Sequence, residues 1–292
     1  SNYYKLLKKY RSNEEKLLKE FIEELQSRIK DSRNMALFFN SNKSITFKGL
    51  KFYLFYPSES ETYQNELFDQ NIFSVVQELP YKYIYEGEKL FSFRPDISIF
   101  LNGIFLSYSE LKSNFSGQNA GKNGRNKIAK DYREAVINYL QVAKFNDVSQ
   151  KIRKDFLKIF EKAIHITTTD LEETYIIRNI SDHFDDIAKF YQESEWSKFE
   201  SEYKKKIFSN CKSYPISNDS LSKQDKLKEI FLSLYAKDMI EKEILYYNFI
   251  EREVVKGKGG ARLKKERGKL IAPRPKQKYG TDKILNKIDE FL

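Results

Sequence analysis

Two strand-like runs, Asp96 to Leu101 and Ile104 to Lys112, meet at Asn102-Gly103. Asn-Gly between apolar runs of this kind is a strong hairpin signal, because both residues tolerate the positive φ of a tight turn. The hairpin carries Pro95-Asp96 on its first strand and Glu110-Leu111-Lys112 on its second. Residues two apart on a strand share a face, so Glu110 and Lys112 point the same way. Asp96 from the neighbouring strand can join them there. Two carboxylates with the Leu111 carbonyl make a hard oxygen site suited to Mg²⁺ or Mn²⁺. Such a metal lowers the pKa of bound water and stabilises charge on a phosphate oxygen, while Lys112 orients the water or helps deprotonate it. That chemistry is phosphodiester hydrolysis. Both patterns are short, however, and Glu110 with Lys112 also reads as an ordinary exposed pair on an edge strand.

Register tests the idea. A strict two-residue turn pairs Leu101 with Ile104, hence Asp96 with Ser109, and leaves Glu110 opposite Pro95 on the wrong face. The site therefore predicts a bulged hairpin, a type I turn with left-handed Gly103 that pairs Phe100 with Ile104. Asp96 then shares a face with Tyr108 and Glu110.

Charge points to a polyanionic partner. The 292 residues hold 52 Lys+Arg against 42 Asp+Glu, a net +10. Nearly all of that excess lies from Lys256 to Lys278, with ten basic residues and one acid. Its glycines and prolines make it a mobile loop or linker, open to phosphate contact or simply solvated. A second cluster directly follows the E-x-K strand: Lys122, Arg125, Lys127, Lys130 and Arg133. Abundant Phe, Tyr, Ile and Leu exclude wholesale disorder. No apolar run is long enough to span a membrane, and no leader is evident. The single cysteine, Cys211, forms no internal disulfide or thiolate zinc site, which fits a reducing, cytoplasmic setting. The Ser1-Asn2 start, without Met, reads as an excised piece of a longer chain.

Elsewhere, Asn13 to Ile29 reads as a helix capped by Ser12, with Leu17, Leu18, Phe21, Ile22, Leu25 and Ile29 on its apolar face. Ser44 to Tyr56 suggests a hairpin about Gly49, and Asn71 to Tyr85 a strand region limited by Pro80. Asn126 to Ala143 is helical, Ala163 to Thr168 a strand, Tyr175 to Ile180 another. From Asp182 to Glu253 the pattern is helical, broken at Cys211 to Ser220. The expected fold is α+β: a central mixed sheet flanked by helices over residues 1–180, a helical subdomain at 181–255 and a basic linker at 256–292.

The residues Arg94 to Gly103, followed by Glu110-Leu111-Lys112-Ser113-Asn114, resemble the N-terminal nuclease region of the restriction (R) subunit of type I restriction-modification enzymes, within the PD-(D/E)xK nucleases. Asn71 to Glu78 looks like that family's strand entering the hairpin, and Asn248-Phe249-Ile250 with Pro273 to Gln277 looks like the approach to its helicase motor. The resemblance implies a Mg²⁺-dependent DNA endonuclease module with Asp96 and Glu110 as metal ligands and Lys112 as catalytic lysine. It implies partners as well: double-stranded DNA, methyltransferase and specificity subunits, and motor domains that alone would use ATP. Gln277 matches the glutamine that reads adenine before the motor.

Two departures stand out. The family's Gln-x-x-x-Tyr on the following helix has Ile128 where the glutamine belongs, ahead of Tyr132, which leaves Lys130, Tyr132 or Arg133 to contact DNA. No G-x-x-x-x-G-K-[ST] loop occurs either, so this chain is no ATP-driven translocase by itself. The competing reading is a catalytically degenerate nucleic-acid-binding or docking domain. His165 in its apolar strand reads as a buried histidine; His183 beside Asp182, Asp185 and Asp186 reads as a helix start; Cys211 lacks an activating neighbour. Trp196 reads as core.

Overall fold

Asn102 and Gly103 turn the chain at φ of +50° and +78°, and the computed structural model shows what the asparagine side chain does there. It accepts from the Ile72 N–H at 2.7 Å and donates to the Leu54 carbonyl at 2.8 Å and to Asn71 Oδ1 at 3.1 Å. The turn is thereby tied to two neighbouring segments. The structure describes residues 2–11, 13–58, 66–85, 87–146, 157–170, 172–193, 196–210, 212–213, 222–251, 254–256, 262–264, 269–272, 277, 281 and 287.

The elements run α1 (Asn2–Lys9), α2 (Glu14–Asp31), α3 (Met35–Ser41), β1 (Ser44–Phe47), β2 (Leu50–Tyr53), β3 (Phe73–Gln77), β4 (Tyr81–Tyr85), β5 (Glu88–Phe93), β6 (Ile97–Leu101) and β7 (Ile104–Leu111). After a π-helical turn (Ala120–Gly124) come α4 (Arg125–Asn146), α5 (Lys158–Glu161), β8 (Ile166–Thr169), β9 (Thr174–Ile177), α6 (Phe184–Glu193), α7 (Trp196–Asn210) and β10 (Lys212–Ser213). The described chain ends in α8 (Lys223–Tyr235), α9 (Lys237–Leu245) and four short strands, β11 (Phe249–Glu251), β12 (Val254–Lys256), β13 (Arg262–Lys264) and β14 (Lys269–Ile271). The central sheet has the order β10-β9-β8-β7-β6-β3. Only β7 and β8 are parallel, joined by the crossover through α4; the other neighbours are antiparallel. This is the expected mixed sheet flanked by helices.

Helices cover both faces. On one, Ile128, Tyr132, Val136 and Tyr139 of α4 pack with Tyr108 of β7, Phe93 of β5, and Phe184 and Ile187 of α6. Their spacing of three to four places them on a single helical stripe. On the other, Phe38 and Phe39 of α3 with Ile240 and Ile244 of α9 cover Ile99, Leu101 and Leu106.

The turn differs from expectation in position. Leu101 pairs with Ile104 and Phe100 with Phe105, so it is the strict two-residue kind. The extra residue comes later: Leu106 has no partner, and Ile99 pairs with Ser107. That bulge supplies the change of parity the site needs. Leu106 packs into one core and Tyr108 into the other, although a regular strand would put both on one face. Beyond the bulge Ile97 pairs with Ser109, and one further step sets Asp96 opposite Glu110. The asparagine anchoring accounts for the difference, since Asn102 must hold a positive φ for its side chain to reach Ile72 and Leu54. Replacing Asn102 by Ala is expected to cost about 3 kcal/mol in denaturant unfolding, from three lost hydrogen bonds and a strained φ. Asn102→Gly is expected to cost about half as much, because glycine adopts that φ freely. Equal losses in both variants would remove the conformational part of this account.

Other local readings shift. Asn13, not Ser12, caps α2, its side chain accepting from the Lys16 N–H at 3.0 Å; Ser12 lies outside the described residues. Leu18 and Ile22 on the expected apolar face are exposed. Hairpin β1–β2 turns at Lys48-Gly49 as anticipated. The helical reading through Glu253 fails at Phe249–Glu251, which is strand paired with β14. Within the segment read as a mobile linker, β13 pairs with β12. Val254-Val255, Leu263 and Leu270-Ile271 favour the extended backbone. Among the described residues no helix is long and apolar enough to cross a membrane. Cys211 and most of the basic segment lie outside the described residues.

Candidate active site

Glu110 is fully buried near the end of β7, and the strand ladder determines its company. Thr168, its partner on parallel β8, is also fully buried. Asp96 closes the opposite side: its Oδ2 accepts from the Leu111 N–H at 2.7 Å. Lys112 folds back, donating from Nζ to the Leu111 carbonyl at 3.0 Å and standing 3.5 Å from Glu110 Oε2. Asp96, Glu110, Leu111 and Lys112 are thus brought together at one end of the hairpin.

Helix α4 adds two groups. Lys127 Nζ donates to Glu110 Oε1 at 2.9 Å and to Asp131 Oδ2 at 2.9 Å, and lies 5.2 Å from the centre of the Phe93 ring. The sequence makes Lys127 a candidate DNA contact and marks no role for Asp131. Their spacing of four on the helix after the E-x-K strand was the available signal. Burial raises the Glu110 carboxyl above its ordinary value, against the Lys127 hydrogen bond that lowers it. Burial raises Asp131 as well. It opposes the Lys127 charge, but Asp131 and Glu110 together hold that ammonium above its ordinary value.

The π-turn fits α4 closely against the sheet. Asn119 caps it by accepting from the Lys122 N–H at 2.7 Å, and Asp170 Oδ2 accepts from the Ala120 N–H at 2.8 Å. A Cβ on Gly124 would come within 1.8 Å of Thr168 Oγ1, so only glycine permits this approach.

Of the remaining basic candidates, Lys122 and Lys130 are exposed, Lys130 standing 3.7 Å from Glu134. Arg125 is sandwiched between the Tyr175 and Phe208 rings, 4.4 and 4.6 Å from their centres. Tyr132 is fully buried in the core, its hydroxyl 3.3 Å from Glu161 Oε1. Arg133 is partly buried. Gln277 is exposed, its carbonyl accepting from Thr281 Oγ1 at 3.0 Å.

A family model, the type I restriction enzyme R protein N terminus, matches residues 2–183. The chain belongs to that family. The match covers the whole hairpin, α4 and strands β8 and β9 of the R-protein N-terminal region. Neither curated proteins nor solved structures returned a match.

The donor set suits a hard divalent cation. On the Glu110 face, Glu110 Oε2, Tyr108 Oη and Thr168 Oγ1 are buried and make no hydrogen bond among the described residues. A buried carboxylate oxygen left without a donor suits a water or an ion. Among the described residues no group of three or more His, Cys, Asp or Glu is placed to hold a metal, so the Leu111 carbonyl and water would complete the shell. The two histidines lie apart from this. His165 is buried 5.3 Å from the Tyr235 ring. His183 is buried edge-on to Tyr203, and burial lowers its pKa.

Proposed function

We propose that this chain is the metal-dependent nuclease module of a type I restriction R protein, hydrolysing phosphodiester bonds of double-stranded DNA. One observation carries the reading. A fully buried glutamate directs one oxygen, without a hydrogen bond, into a site shared with a second carboxylate and a lysine. Burying a carboxylate this way costs stability and is tolerated where the group has work to do.

Asp96, Glu110 and the Leu111 carbonyl would hold Mg²⁺ or Mn²⁺, which supplies charge stabilisation on phosphate and an acidified water. Lys112, held against the Leu111 carbonyl, orients the attacking water and places a positive charge beside the reacting phosphate. The loop after Lys112 presents Lys122 outward and an almost fully exposed Phe115, offering DNA a cation for phosphate and a ring for packing. Family membership supports DNA, methyltransferase and specificity subunits as partners, with ATP serving motor domains elsewhere in the assembly. Gln277 would act with that motor.

The test avoids any need for the motor. Calorimetric titration of Mn²⁺ into the chain is expected to show saturable binding, and Glu110→Ala to abolish it with the circular dichroism spectrum retained. Identical traces without specific binding in either protein would instead favour the degenerate docking module.

A further inference from the structure

Lys127 holds one oxygen of Glu110 and leaves the other free. Oε1 accepts the Lys127 ammonium at 2.9 Å, and that ammonium is itself fixed by Asp131 at 2.9 Å and by the Phe93 ring. Oε2 makes no hydrogen bond among the described residues; its near neighbour is Lys112 Nζ at 3.5 Å. Because the whole Glu110 side chain is buried, it cannot swing to present both oxygens without breaking the Lys127 contact.

From this we infer that Lys127 selects the metal: it restricts Glu110 to one-oxygen coordination and so favours Mg²⁺ and Mn²⁺ over Ca²⁺. The chemistry is general. Calcium takes six to eight oxygens and readily accepts a carboxylate through both, whereas magnesium keeps a small octahedral shell that takes one oxygen from each carboxylate. A cation fixed on the second oxygen removes the two-oxygen mode, on which the larger ion depends more. Lys127 is here a positioning residue, acting through Glu110 and touching neither metal nor substrate. The family's glutamine position falls on Ile128, but Ile128 and Tyr132 are buried in the core. The residue that reaches the carboxylate is one position earlier.

This inference rests on the metal-site reading above, and the experiment separates the two. Mn²⁺ and Ca²⁺ are each titrated calorimetrically into wild type, Lys127→Met and Lys127→Arg. Absence of Mn²⁺ binding to wild type would overturn the metal site itself, and this inference with it. Where wild type binds, Lys127→Met is expected to lower the ratio of Mn²⁺ to Ca²⁺ affinity by about tenfold, the lower end of the range for residues supporting a metal ligand. Lys127→Arg, which can still donate to Oε1, is expected to keep the wild-type ratio. A merely structural role would weaken both ions alike. An unchanged ratio in Lys127→Met, whether or not both affinities fall, would overturn the inference.

If Lys127→Met fails to fold, infrared spectroscopy of the wild type decides. The Mn²⁺-induced difference spectrum is expected to show only widened carboxylate splittings, the mark of one-oxygen coordination. A narrowed splitting would overturn the inference.

Discussion

Lys112→Ala is expected to slow DNA cleavage by the assembled restriction enzyme by about 10²- to 10⁴-fold, the usual range for a residue that handles a proton or orients the attacking water. Mn²⁺ affinity in the same variant is expected to stay within about threefold of wild type, because Lys112 is not a ligand. The geometry requires this split. Lys112 Nζ is tied to the Leu111 carbonyl at 3.0 Å and lies 3.5 Å from Glu110 Oε2, while its side chain is only 9% exposed. Its charge is therefore held beside the Glu110 carboxylate. Loss of Mn²⁺ binding together with cleavage would mean that Lys112 chiefly holds the carboxylates in place. Retention of full cleavage would remove it from the mechanism. Single-turnover measurements are needed, since translocation by the motor could otherwise mask a slowed chemical step.

The second large effect concerns stability. Gly124→Ala is expected to destabilise the chain by about 3 kcal/mol, the upper part of the range for overpacking a buried contact. The added Cβ would lie 1.8 Å from Thr168 Oγ1 and 2.8 Å from Thr168 Cβ. Thr168 is fully buried within the sheet, so the strain must move the start of α4 instead. Lys127 sits one turn along that helix, and weaker Mn²⁺ binding is expected to accompany the loss. Thr168→Ala in the Gly124→Ala background removes the oxygen and one methyl and is expected to restore part of the stability, a coupling that a double-mutant cycle would measure. An unfolding midpoint unchanged in Gly124→Ala would contradict the close approach of helix and strand.

Much of the candidate site is legible in the sequence. Asn102-Gly103, the acid at 96 and the Glu110-Leu111-Lys112 run lie within seventeen residues of one another, and local rules govern all of them: turn propensity, strand alternation, side-chain chemistry. Those rules also required an odd residue in the hairpin. Its position was another matter. The turn stayed tight because Asn102 bonds to Ile72 and Leu54, and the extra residue moved to Leu106, where the two cores divide.

Helix α4 shows the same boundary. Its existence was evident from periodicity, and its basic residues suggested a DNA-facing surface. Yet Lys127 turns inward to Glu110, Arg125 lies between two aromatic rings, and Tyr132 is core. Which face of a helix meets the sheet depends on how α6 and α7 pack behind it, and no local pattern records that.

That Asp96, Glu110 and Lys112 meet at one end of a hairpin was determined by the sequence itself, because their spacing and a two-residue turn signal leave few ways to arrange it. The direction Glu110 faces, the lysine that holds its second oxygen and the threonine beneath Gly124 were decided by the tertiary structure. Each of these depends on contacts between segments distant in the chain, where packing of two cores against one sheet outweighs local preference.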